Sequence, residues 1–193
     1  SAVRVAAVQH DIAWHDREAN FAHLSPMIAG AAASGARVVL VTETFSTGFS
    51  FDSPDIAEPE GGPSSQFLEL MATTHGVWVG GSCPEIANDA PADDQRPSNV
   101  FVLVAPDGTQ HRYRKIHPFS HADEERYVRA GTDFVTVEID GLRVQSVSGG
   151  GHFGGGMFIS TSDLARFGLL MERDGRWGAQ QVVRPDWVHA MTT

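Results

Sequence analysis

Three short apolar runs set the fold of this chain: residues 3–9 (VRVAAVQ), 37–42 (RVVLVT) and 77–82 (VWVGGS). Each is β-branched and too short for a helix, so each reads as a strand, the first one buried. Between them lie stretches with helical spacing. Asp16 to Ala33 carries Phe21, Leu24, Ile28 and Ala32 on one face, with Asp16 placed as an N-cap and Gly35 past the end. Residues 64–75 carry Phe67, Leu70 and Met71, and Gly76 ends them. Strands alternating with amphipathic helices are built by parallel pairing and crossover connections.

The pattern then changes. Residues 88–98 are rich in Asp, Ala and Pro and read as an exposed loop. Residues 99–105 and 109–116 flank Pro106-Asp107-Gly108, which predicts a hairpin. Residues 134–139 and 142–147 flank Asp140-Gly141, which predicts another. Parallel strands followed by hairpins give an α/β layered domain with a mixed sheet.

With 193 residues the chain has room for one medium domain, or one domain and an appendage. Its 14 basic and 24 acidic residues leave a net charge of −10 with no basic cluster. That argues against nucleic acid and against anionic membranes as partners. No apolar stretch reaches spanning length and no signal-like start is present, so the expectation is a soluble, cytoplasmic protein. A trimmed export signal is compatible with the same sequence. The one cysteine, Cys83, excludes an internal disulfide and a cysteine-based zinc site. His117 and His121 have a ligand-like spacing, but Pro118 and the preceding strand spoil it, and His10 and His15 flank a loop. The expectation is no metal and no cofactor.

Two charged residues sit at strand ends. Glu43 follows the second strand in Thr42-Glu43-Thr44-Phe45-Ser46-Thr47-Gly48-Phe49, where α/β sheets place ligands. Burial there would raise its pKa and suit it to general-base work. Lys115, in Arg114-Lys115-Ile116-His117-Pro118-Phe119, could hold a developing oxyanion. Glu124 stands nearby in Ala122-Asp123-Glu124-Glu125. Taken singly, each is better explained by a surface ion pair.

Taken together, the order Val-Gln-His, Thr-Glu-Thr-Phe-Ser-Thr-Gly-Phe, Gly-Gly-Ser and Arg-Lys-Ile-His-Pro-Phe resembles the nitrilase (carbon–nitrogen hydrolase) superfamily, in its omega-amidase-like branch. The resemblance covers residues 3 to about 144, roughly the first half of that family's domain. It implies part of an α-β-β-α sandwich that pairs into homo-oligomers, and a Glu-Lys-Cys triad acting on small-molecule amides or nitriles. By the same resemblance Glu43 would be the general base and Lys115 the oxyanion holder. Glu124 would position substrate, with Glu125 its neighbouring alternative.

The cysteine of that triad would fall near Gly149, where the chain reads Ser146-Val147-Ser148-Gly149-Gly150-Gly151. Cys83 is better read as a small buried apolar residue, and Ser148 would need a stronger base than a carboxylate. From residue 148 the composition shifts, with six glycines in residues 148–156. The run from Gly150 to Gly168, followed by Asp174-Gly175 and Pro185-Asp186-Trp187, resembles serine β-lactamase and penicillin-binding-protein-like hydrolases. Residues 162–172 read as a helix capped by Ser162, Val182 and Val183 as the start of a strand, and Pro185 as the opening of a last helix. No Ser-x-x-Lys or Tyr-x-Asn motif accompanies them. The expected division is a nitrilase-like part, 1–144, and a β-lactamase-like segment, 145–193. Three functions stay open: an amide hydrolase by ancestry that lacks its nucleophile, a serine hydrolase, and a catalytically silent chimera.

Overall fold

The computed structural model describes residues 3–119, 123–146 and 168–192, without the side chains of residues 53, 54 and 190–192. The chain divides into two compact units, Ser1–Ser148 and Gly149–Thr193.

The first unit is built on one mixed sheet. Its strands are β1 (Val5–Ala7), β2 (Val38–Leu40), β3 (Glu58–Pro59), β4 (Trp78–Ile86), β5 (Ser98–Val104) and β6 (Gln110–Arg114). The order is β1-β2-β4-β5-β6, with β3 beside the far end of β4. β1, β2 and β4 are parallel, and β4, β5 and β6 are antiparallel. The switch falls where helical spacing gives way to hairpin turns in the sequence. Two parallel neighbours need a crossover, and α1 (Arg17–Ala33) and α3 (Pro63–His75) supply it. A short helix, α2 (Ser53–Ile56), precedes β3.

Capping is as the residues predict. The Asp16 side chain accepts from the Ala19 N–H at 3.0 Å, and Gly76 ends α3 at φ +64°. α1 and α3 cover one sheet face, where Leu24, Ile28, Phe67, Leu68 and Met71 pack on Val39, Val79, Val100, Val102 and Val104. On the other face Val38 and Leu103 meet Val137 and Ile139 of a two-stranded ribbon, β7 (Thr136–Ile139) and β8 (Leu142–Gln145). Asp140 and Gly141, at φ +49° and +80°, make its tight turn, and Arg37 clamps the Asp140 carboxylate at 2.8 and 3.1 Å.

Some expectations need correction. β1 is not buried: it is the sheet edge, and Val5 is 55% exposed. β4 runs past residue 82 to Ile86, through Pro84, because β5 on one side and β3 on the other keep supplying partners. Cys83 therefore lies within the strand, not after it.

In the second unit, residues 168–172 are helical and Asp174-Gly175 turns the chain at positive φ. Arg176–Trp177 and Gln180–Gln181 then pair as a small hairpin. Val182 and Val183 do not start a strand. Their N–H groups both bond back to the Gly175 carbonyl, which closes the loop. Pro185–Thr192 is a helix. Ser148, the Gly149 slot, the glycine run, the Ser162 cap and His121 lie outside the described residues.

Candidate active site

Glu43 does not sit on β2 itself. It stands three residues past Leu40, in a turn that runs from Glu43 to Thr47. Close packing beneath the turn fixes its path. A Cβ on Gly81 would lie 2.3 Å from Val41 and 2.8 Å from Phe45, so glycine lets β4 approach the residues on either side of Glu43. Ser82 Oγ accepts from the Thr44 N–H at 2.9 Å. From α1, fully buried Asn20 donates to the carbonyls of Ala13 and Ser46, each at 2.8 Å. Thr44 adopts φ +48°, a costly conformation for a β-branched residue, directly after the glutamate.

Lys115 follows β6, and its N–H donates to the Asn99 carbonyl at 2.9 Å, which carries the ladder one step past the strand. It is the only lysine in the chain. Glu124 opens a short 3-10 helix, Glu124–Arg126, behind Asp123 at φ +53°. Its side chain is buried and accepts from the Phe119 N–H. Glu125 is exposed, so burial separates the two neighbouring glutamates on the same side as their spacing does.

The three side chains come together. Lys115 Nζ lies 3.0 Å from Glu43 Oε1 and 2.9 Å from Glu124 Oε2. Partial burial works against the charge on Lys115, but its hydrogen bonds to Glu124 and Glu43 outweigh that and hold its pKa above the ordinary lysine value. The expected burial of Glu43 is not found: its side chain is 53% exposed, against 2% for Glu124. Among the described residues only Lys115 and Asn99 bond it. Glu43 is the open carboxylate of the pair and Glu124 the closed one.

Two features were not singled out from the sequence. Asn99, at the head of β5, donates from Nδ2 to Glu43 Oε1 at 2.7 Å and to Glu124 Oε1 at 3.3 Å. A polar residue leading an otherwise apolar strand was the available signal. The second feature is an aromatic wall. Phe49, Phe51 and Tyr127 pack in series at 5.2 and 4.9 Å between ring centroids, and Lys115 Nζ lies 5.7 Å from the Phe49 centroid. A cleft beside this wall is lined by Phe49, Phe51, Ile56, Pro84, Asn99 and Glu124.

Cys83 is fully buried in the core beneath the sheet, and burial pushes its thiol pKa well above the ordinary value. A thiol held neutral and out of solvent is not a nucleophile. Among the described residues no group of three or more His, Cys, Asp or Glu is arranged to hold a metal ion, and no helix is long and apolar enough to cross a membrane.

Comparison with known proteins gives the family. The carbon–nitrogen hydrolase family matches over residues 4–178, a span that continues past residue 144 into the segment read as foreign. The omega-amidase YafV of Yersinia enterocolitica is 30% identical over 144 residues, which are 75% of this chain and 53% of that protein. A nitrilase of Pyrococcus abyssi is 32% identical over 123 residues, 61% of this chain and 44% of its own. Among solved structures, XC1258 of Xanthomonas campestris, a CN-hydrolase superfamily protein with an arsenic adduct in its active site, superposes with a TM-score of 0.65 at 27% identity. It is covered over 51% of its length by 74% of this chain. The chain thus spans about half the length of the curated relatives it matches. With the mixed sheet and a family match over most of its length, this chain belongs to the carbon–nitrogen hydrolase family.

Proposed function

We propose that residues 1–144 are the Glu-Lys-Glu half of an amide-hydrolysing site, and that the chain alone is catalytically silent because no thiol reaches Glu43. The reading is supported above all by one ammonium held between two carboxylates of unequal exposure. In it, Glu43 is the general base that would take a thiol's proton. Lys115 faces the tetrahedral oxyanion, and Glu124 holds Lys115 and orients the amide. Among the described residues the sole thiol, Cys83, is buried and protonated, and the slot near Gly149 carries no cysteine.

The substrate class is a small ω-amide, in line with the omega-amidases among its relatives. The segment from about residue 145 remains a proposed graft from a β-lactamase-like hydrolase. It brings neither of that family's nucleophile motifs, so it adds no serine chemistry to the reading. We also propose a homo-oligomer, since among the described residues edge strand β1 and the outer strand β8, with Leu142 and Val144 exposed, leave pairing surface open.

Ammonia release from small ω-amides tests the functional reading. The intact chain and Glu43→Ala are expected to be equally inactive. Turnover by the intact chain that Glu43→Ala abolishes would overturn the silence and show that a nucleophile does reach the site. Nitrocefin hydrolysis would overturn the exclusion of serine chemistry.

A further inference from the structure

We propose that Asn99 is the positioning residue of this site: its single side-chain amide nitrogen fixes the separation of the Glu43 and Glu124 carboxylates on either side of Lys115. The inference rests on reading those three residues as one site, but not on any turnover.

Asn99 contacts all three members. Its Nδ2 donates to Glu43 Oε1 and Glu124 Oε1, and its backbone carbonyl accepts from the Lys115 N–H. An amide nitrogen carries two N–H bonds, so one atom serves both carboxylates and neither competes for the same proton. It is buried, with 6% of its surface exposed, and anchored in β5 opposite Pro84. Its position is therefore set by the sheet and not by the two loops that carry the glutamates.

The chemistry accounts for the residue type. Two carboxylates share one ammonium, which leaves the cluster with a net charge of −1. A carboxylate at position 99 would add repulsion. A cation there would take the place of Lys115 as the carboxylates' partner. A neutral residue with two donors brings the carboxylates together without changing the charge. It also sorts the oxygens of Glu43. Both Asn99 and Lys115 engage Oε1, and among the described residues no hydrogen bond engages Oε2. Asn99 thereby leaves a defined oxygen of the half-exposed base free of hydrogen bonds among the described residues.

Because Lys115 is the sole lysine, a full-length sample labelled at lysine Cε and Nζ gives one side-chain NMR signal whose titration needs no assignment. Wild type should titrate above the ordinary value of 10.5. In Asn99→Ala the Glu43 carboxylate loses its tether and drifts from Lys115. The midpoint should fall by about half a pH unit, a roughly threefold loss of proton affinity. Asn99→Asp places a third negative charge beside Lys115, ionised throughout the lysine titration, and the midpoint should rise. General loosening of the fold would move both variants the same way. Unchanged midpoints, or shifts in the same direction, overturn the proposal.

If either variant does not fold, wild type decides. Both side-chain amide protons of Asn99 should shift as the carboxylates are protonated at acid pH, and Glu43→Gln should displace one far more than the other. Amide protons that ignore both changes overturn it equally. Ammonia release has no bearing on these readouts, so failure of the functional reading and failure of this one are distinguishable.

Discussion

Two carboxylate clusters lie on this sheet within one strand's length, and they are solved in opposite ways. Near the start of α3, Glu58 and Glu85 are register partners on β3 and β4, and both are buried. Each has its own guanidinium: Arg17 at 3.0 Å for Glu58 and Arg112 at 3.0 Å for Glu85. Each also has a hydroxyl, from Ser64 and Ser65, and a backbone N–H, from Ser64 and Gly61. Carboxylates at the N-terminus of α3 also meet the favourable end of its dipole. The Glu43–Glu124 cluster shares one lysine between two carboxylates and leaves Glu43 half in water. The first cluster is saturated, as a structural joint must be. In the second, Glu124 is equally well supplied and only Glu43 is left short of partners, as suits the base it is proposed to be.

The largest break of this contrast is Arg112→Met. It strands Glu85 as a buried charge, and urea denaturation should show a loss of about 3–5 kcal/mol. A loss below about 1 kcal/mol would make the two clusters energetically alike. Next is Gly81→Ala, which drives a methyl group into Val41 and Phe45. It should cost about 1–3 kcal/mol and also move the single lysine signal, since both residues flank Glu43. A stability loss without movement of that signal would separate the packing of the turn from the site.

Glu43→Gln should change stability by less than about 1 kcal/mol, because its carboxylate is half-exposed. The Lys115 midpoint should nonetheless fall. A large stability loss would place Glu43 with the structural carboxylates.

The smallest effect is in pH dependence. The folded-state pKa of Lys115 lies above its unfolded value of 10.5. Its contribution is therefore complete below 10.5 and is lost as pH rises through the folded value. The melting temperature should fall across that alkaline window, and the fall should be smaller in Glu43→Gln than in wild type.

Much of this was legible beforehand because it is local. The Asp16 cap, the Gly76 stop and the Asp140-Gly141 turn are each decided by a few adjacent residues and the φ values they tolerate. The candidate site was legible for a different reason. The motifs around Glu43, Lys115 and Glu124 resemble one family's, and the structure brings these residues within hydrogen-bonding distance. The exposure of Glu43, the edge position of β1 and the length of β4 were not legible. Each depends on which neighbour a segment finds, and no window of sequence contains that neighbour.

The sequence by itself determined the strand and helix alternation, the switch from crossovers to hairpins, and the inventory of one lysine and one cysteine. Only the tertiary structure decided what those residues became. It buried Cys83 and Glu124, left Glu43 and Glu125 open, and set Asn99 between the two carboxylates. The physical reason is that charge and nucleophilicity answer to solvent exposure and to partners within about 4 Å. Here those partners come from 56 and 72 residues away along the chain.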